Sequence, residues 1–238
     1  MNPHKLTLRI ACFCLIFSVT NTHAQKQKPP LGGRIAVVVD ERLSAVRATP
    51  ELTGKLVRRL SRGRLVAIRT AKTDRDGVVF YFVNLSSRTH GWIQREAVVS
   101  AQYRNDDERL LTLLKNSTEF DRVARARIFL DTFPRSALRA EVLLILGDAA
   151  EQVSAKLSRE AEKRADKDAQ FEHTYFLNYS GLDRYNRQGV TFTFDPSEHR
   201  LHYDGAAWRE IVRRFPRSPE AVEAKKRLDS RFFGNAKD

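Results

Sequence analysis

The hydrophobic period of this chain switches once, near residue 105, and that switch limits the fold to a β part followed by an α part. From residue 33 to about 103 short apolar or alternating runs are separated by turn residues. Runs at 35–39, 44–48, 55–60, 64–70, 78–84, 91–94 and 97–99 predict strands. The breaks between them hold Thr49-Pro50, Ser61-Arg62-Gly63, Asp74-Arg75-Asp76-Gly77 and the 86–91 segment. Strands this short and this closely spaced predict a small β-barrel over residues 33–103.

Beyond residue 104 the period is 3.6. Asn105 followed by Glu108 predicts a capping-box start, ahead of Leu110, Leu111, Leu113 and Leu114. A second helix is expected over 119–131, with Phe120, Val123, Ala124 and Ile128 near one face. Pro134 stops it and Ser136 caps the next. Leu138, Val142, Leu146, Ala149, Val153 and Leu157 then form one long amphipathic stripe. Its charged tail, 158–170, is expected to be solvated. Helices over 204–214 and from Ser218-Pro219 to about 230 close the chain. Phe133-Pro134-Arg135-Ser136 recurs as Phe215-Pro216-Arg217-Ser218, each copy lying between two amphipathic helices. Between the copies, 171–203 predicts an irregular insert with a short hairpin.

Residues 1–24 have the pattern of a secretory signal peptide. His4, Lys5 and Arg9 precede a ten-residue apolar run at 10–19, and Thr22-His23-Ala24 offers a cleavage site. Ten residues are too few to span a bilayer, so no transmembrane segment is expected after cleavage. The expected location is outside the cytoplasm, periplasmic or secreted. Cys12 and Cys14 are the only cysteines and would leave with the leader. The exported chain would then have no disulfide, thiol nucleophile or thiolate-bound metal.

Charge is uneven. The whole chain carries a net +13 and the exported part, without Lys5 and Arg9, +11. Residues 33–103 hold 13 basic and 6 acidic side chains, and the basic linker at 25–32 adds two lysines. Nine of the eleven charges therefore lie on the linker and barrel. Arg58, Arg59, Arg62 and Arg64 cluster on one strand–turn–strand segment. Outside the cytosol the polyanions within reach are wall polymers and lipid head groups, and nucleic acid is not an expected partner.

Several of these residues also carry a resemblance. Ala45-Val46-Arg47-Ala48-Thr49-Pro50, Gly54-Lys55-Leu56-Val57 and 60–68 resemble the front half of a bacterial SH3 domain. Phe80-Tyr81-Phe82-Val83, His90-Gly91-Trp92-Ile93 and Ala97-Val98-Val99 resemble its back half, with an aromatic pair where the family has its first Trp. The repeated Phe-Pro-Arg-Ser turn resembles the inter-helix turn of tetratricopeptide-like proteins of the bacterial envelope. The fold this implies is α+β in two parts: a small SH3-like β-barrel, then a helical, tetratricopeptide-like domain at 104–238.

On this reading the expected function is non-enzymatic. The barrel would bind a cell-wall polymer or peptide, and the helices an envelope protein, without a cofactor. Trp92, Phe80, Tyr81, Arg58 and Arg64 are the candidate barrel contacts, with a core role the favoured reading for Trp92. The competing reading is a metal-dependent hydrolase using the cluster at 198–204, with His199 and His202 as ligands beside Glu198 and Asp204. A pure assembly scaffold is the third.

Overall fold

A computed structural model of the chain describes residues 32–165, 180–198 and 200–234. The expected leader, all but the last residue of the linker, and His199 lie outside the described residues. Among the described residues the fold is mixed α/β, a seven-stranded antiparallel sheet followed by six helices with a two-stranded hairpin between the fourth and fifth. The sheet strands are β1 (Arg34–Val38), β2 (Ala45–Arg47), β3 (Leu56–Arg59), β4 (Leu65–Thr73), β5 (Val79–Asn84), β6 (His90–Gln94) and β7 (Val98–Val99). Short 3-10 turns stand at Glu41–Leu43 and Arg95–Ala97.

The order across the sheet is β3-β2-β6-β5-β4-β1-β7, so the sheet does not close and the expected barrel is corrected on this point. The end strands β3 and β7 are not paired with each other. The sheet nevertheless curls around its own core. Val38, Val46, Val66, Tyr81, Val83, Ile93 and Val98, from six of the seven strands, meet in one buried cluster. Strand alternation sends every second side chain there. From Ala36 to Val38 β1 is apolar because both its faces are buried there: Ala36 and Val38 point into this cluster, while Val37, and Val39 just past the strand, belong to a second.

That second cluster belongs to the helices. They are α1 (Asp106–Lys115), α2 (Glu119–Thr132), α3 (Arg139–Ala165), α4 (Ser180–Asn186), α5 (Ala206–Arg214) and α6 (Pro219–Gly234). Val37, Val39 and Val99 pack with Leu110, Leu114, Phe129, Val142 and Leu146, so sheet and helices share one core across residue 104. Polar bonds fasten the same seam. The buried Arg125 donates from Nε to the Val39 carbonyl at 3.1 Å and from Nη1 to Ser117 Oγ at 2.6 Å. Arg62 pairs with Asp121 at 2.9 Å, and the Arg109 guanidinium donates to the carbonyls of Arg95 and Val98.

The two Phe-Pro-Arg-Ser copies build the same turn. In each, the Phe N–H closes the preceding helix, onto Phe129 O and Ile211 O, both at 2.8 Å. In each, the Ser N–H returns to the Phe carbonyl, at 3.2 Å for Ser136 and 3.0 Å for Ser218. The Ser hydroxyl accepts an N–H at the entrance to the next helix, from Leu138 just ahead of α3 and from Ala221 in the first turn of α6. The repeat thus joins α2 to α3 and α5 to α6.

Three local expectations change. Asn105 makes no side-chain cap. It stands in the left-handed region at φ 64°, which Asn tolerates, and the Asp106 carboxylate instead accepts from Ser100 N at 2.8 Å. The expected hairpin is β8 (Phe192–Asp195) with β9 (Arg200–Tyr203), and it covers the beginning of the stretch read as a solvated tail. Ser158 and Ala161 are buried there, with Leu201 N donating to Ser158 Oγ at 2.8 Å. Leu65–Thr73 also runs past residue 70, forming with β5 an arm whose β4 side chains from Arg69 onward are exposed.

Asp40 ties the end of β1 to the first 3-10 turn. Its buried carboxylate accepts from Arg42 N at 3.0 Å, Nε at 3.1 Å and Nη2 at 2.7 Å. The Arg42 guanidinium holds its pKa below the ordinary 3.8. A depressed carboxylate pKa adds stability above the unfolded value, and that stability is lost as pH falls through the folded value. Asp40→Ala is therefore expected to destabilise by about 1 kcal/mol at pH 7, the usual effect of a lost cap. Urea unfolding from pH 7 to pH 2 should show this gap closing below the ordinary 3.8.

Candidate functional site

The open end of the sheet core forms a cleft of about 520 Å³, lined by Gly33, Arg34, Ile68, Arg69, Thr70, Ala71, Val79, Tyr81, Arg95 and Tyr103. Three of these are arginines and none is acidic. Each arginine arrives by a different local device. Arg34 opens β1. Arg69 is the extra residue of a bulge in β4, between the pairs Ile68–Val83 and Thr70–Phe82, and such a bulge re-aims a side chain. Arg95 begins the 3-10 turn after β6.

Gly33 lets the chain approach Arg69. At φ 102° it adopts a conformation that side-chain-bearing residues avoid, and a Cβ there would overlap the Ile68 carbonyl oxygen. The Arg69 side chain lies across Gly32 and Gly33.

The floor is aromatic. Tyr81 and Tyr103 stack with ring centroids 5.4 Å apart and planes 5° apart. Arg34 sits over the Tyr103 ring at 5.2 Å and donates to its hydroxyl at 3.3 Å. Tyr81 is buried, and its hydroxyl has no hydrogen-bond partner among the described residues. Burial pushes its pKa above the ordinary 10.0, so the group remains a donor at neutral pH. None of Arg34, Arg69 and Arg95 is in an ion pair among the described residues. Three guanidinium groups outside any ion pair among the described residues, beside a stacked aromatic floor, are the chemistry that can take up an oxyanion on a flat or ring-shaped carrier.

Of the five expected contacts, Tyr81 alone lines this cleft. Phe80 is 0% exposed, and its expectation as a ligand contact is corrected: it presents no surface to a ligand. β5 alternation separates the two neighbours, since Tyr81 belongs to the sheet's inner cluster and Phe80 does not. Trp92 is half-buried on β6, edge-on to Phe82 at 5.2 Å, and lines neither this cleft nor the next. Arg58 and Arg64 do come together, with Arg59 and Arg62, around a recess of about 220 Å³. Arg34, Arg69 and Arg95 were not singled out in the sequence. The local signal present there was Gly32-Gly33 beside Arg34.

The hairpin cluster takes a different membership from the one expected. Asp195, Glu198 and His202 bring ligand atoms within 4.8 Å of one another. His202 Nε2 lies 3.1 Å from Glu198 Oε2. Asp195 Oδ1 already accepts from Ser197 N, Ser197 Oγ and Glu198 N, the contacts of a tight turn. Asp204, expected among the ligands, instead accepts from Ala206 N at 2.9 Å at the start of α5. These residues build the hairpin and its junction with the next helix.

Among the described residues no helix is long and apolar enough to cross a membrane. Compared with known proteins, the chain matches no family model, no curated protein and no solved structure.

Proposed function

We propose that this chain is an exported, non-enzymatic binding protein of the cell envelope. Its cleft at Arg34, Arg69, Arg95, Tyr81 and Tyr103 takes the anionic groups of a wall polymer such as peptidoglycan, and its helices offer a surface to an envelope protein. The observation that carries the reading is the set of three arginines without ion pairs around a stacked tyrosine floor. A polymer of linked sugar rings bearing carboxylates suits both features, since rings lie against the aromatic floor while guanidinium groups fork onto carboxylates.

Export rests on the leader pattern at 1–24, and the concentration of positive charge in the linker and sheet supports an anionic partner. The SH3-like identity of 33–103 and the tetratricopeptide-like identity of 104–238 belong to the same proposal. Support comes from the short antiparallel strands standing where expected along the chain and from the twice-built Phe-Pro-Arg-Ser turn.

The test is co-sedimentation of the purified protein with isolated cell wall at low and at high salt. The expected result is pelleting with the wall at low salt that weakens as salt screens the arginines. A protein that stays in the supernatant at low salt would refute wall binding.

A further inference from the structure

A second surface has a different character. Among the described residues β3 is an end strand, paired only with β2, so one side of its backbone has no strand partner there. All four of its residues are exposed. Four large hydrophobic side chains are exposed among the described residues. Three of them, Leu52 at 45%, Leu56 at 49% and Val57 at 44%, lie on this strand and the loop that enters it. The loop is held in place. Arg47 Nη1 donates to the Gly54 carbonyl at 2.8 Å, Ala48 N to Lys55 O at 2.9 Å and Gly54 N to Glu51 O at 3.1 Å. Natural sheets guard an end strand with charge or a bulge and keep large apolar groups off it. Here the bulge and charges are present, beside an apolar patch that such guarding does not require.

We propose that β3 is a docking edge for an extended acidic peptide from a protein partner, which adds to the sheet as an eighth strand. An unpaired strand edge offers alternating N–H and C=O groups, which a peptide backbone matches. Apolar side chains of the peptide cover Leu52, Leu56 and Val57. Its carboxylates meet Lys55, Arg58 and Arg59, with the last two lining the recess shared with Arg62 and Arg64. Arg62 is already paired with Asp121, whereas Arg58 and Arg59 are in no ion pair among the described residues. Charge argues against a second copy as the occupant. Two β3 strands side by side would bring two Arg58-Arg59 pairs together, and like charges across a strand pair are destabilising.

The test is a fluorescence-anisotropy titration of the purified protein with a labelled eight-residue peptide alternating valine and aspartate. Saturable binding is expected, with no binding of the valine–lysine counterpart. N-methylation of alternate backbone nitrogens, on the side that pairs with β3, should weaken binding at least tenfold. The double variant Arg58→Glu, Arg59→Glu should weaken it at least thirtyfold, and Arg58→Gln, Arg59→Gln by less. Circular dichroism checks that both variants stay folded. Four outcomes would overturn the proposal: no binding of the valine–aspartate peptide; equal binding of its methylated form; loss of binding on substituting Arg34, Arg69 and Arg95, which would move the peptide to the cleft; or a dimer in sedimentation velocity that the glutamate variant abolishes, which would make a second copy the occupant.

Discussion

Replacing Trp208 by alanine is expected to destabilise the protein by about 3–5 kcal/mol, a large loss for one side chain. Trp208 stands on α5, fully buried, with Tyr203 edge-on to it at 5.4 Å. The indole rests on α3 at Gly147, where a Cβ would collide with Nε1, Cδ1 and Cε2 of the ring. Gly147 is thus a notch in the long helix cut to the depth of the indole. A glycine inside a helix forgoes roughly 1 kcal/mol relative to alanine, and close packing of the indole offsets that loss. Gly147→Val should therefore destabilise by about 2 kcal/mol, the usual scale of overpacking. In the Trp208→Ala background the same change should cost less, because the ring it strikes is gone. Urea unfolding of the two single variants and the double variant checks this. Equal effects of Gly147→Val in the two backgrounds would show that the notch does not act through the indole.

The second large effect is on binding. Substituting glutamine at Arg34, Arg69 and Arg95 together should lower affinity for isolated wall about a hundredfold. Each charge-assisted contact at a partly exposed site is worth roughly 1 kcal/mol, and three are lost. The comparison that isolates the cleft is a triple glutamine substitution at Arg187, Arg213 and Arg217. These residues are exposed and lie outside the cleft, so the net-charge change is the same. That protein should bind within about threefold of the parent at equal salt, since distant exposed charges are largely screened. Equal losses in the two triple variants would show that net charge, and not the cleft, carries the binding.

Much of the backbone plan was legible because it depends on near neighbours in sequence. The period switch near residue 105, the strands from β1 to β7 and both Phe-Pro-Arg-Ser turns follow from local alternation, turn residues and caps. What stayed hidden depends on residues brought together across the fold. Arg34, Arg69 and Arg95 meet through the ladder β1–β4, a bulge and a 3-10 turn, and no local pattern announces the bulge. The arginine run at 58–64 was visible because it is continuous in sequence, and it proved to be a separate surface. Phe80 and Tyr81 were grouped as one aromatic pair, but strand alternation gives them opposite faces, and only Tyr81 reaches the cleft. Asp204 read as a ligand type beside His202, yet the hairpin ladder brings Asp195 to that histidine and leaves Asp204 to start α5. Shared burial across residue 104 was likewise invisible, because β1 shows only that it is apolar and not which faces are covered.

The proposed function requires that the cleft between the stacked tyrosines and the three arginines receive an anionic sugar polymer. The most direct measurement is an NMR titration with a soluble wall fragment, a disaccharide carrying its peptide carboxylates. It would follow the ring protons of Tyr81 and Tyr103 and the side-chain N–H signals of Arg34, Arg69 and Arg95. These signals should move together, saturably, and added salt should reverse the shift. Saturable binding that leaves these five side chains unmoved would contradict it.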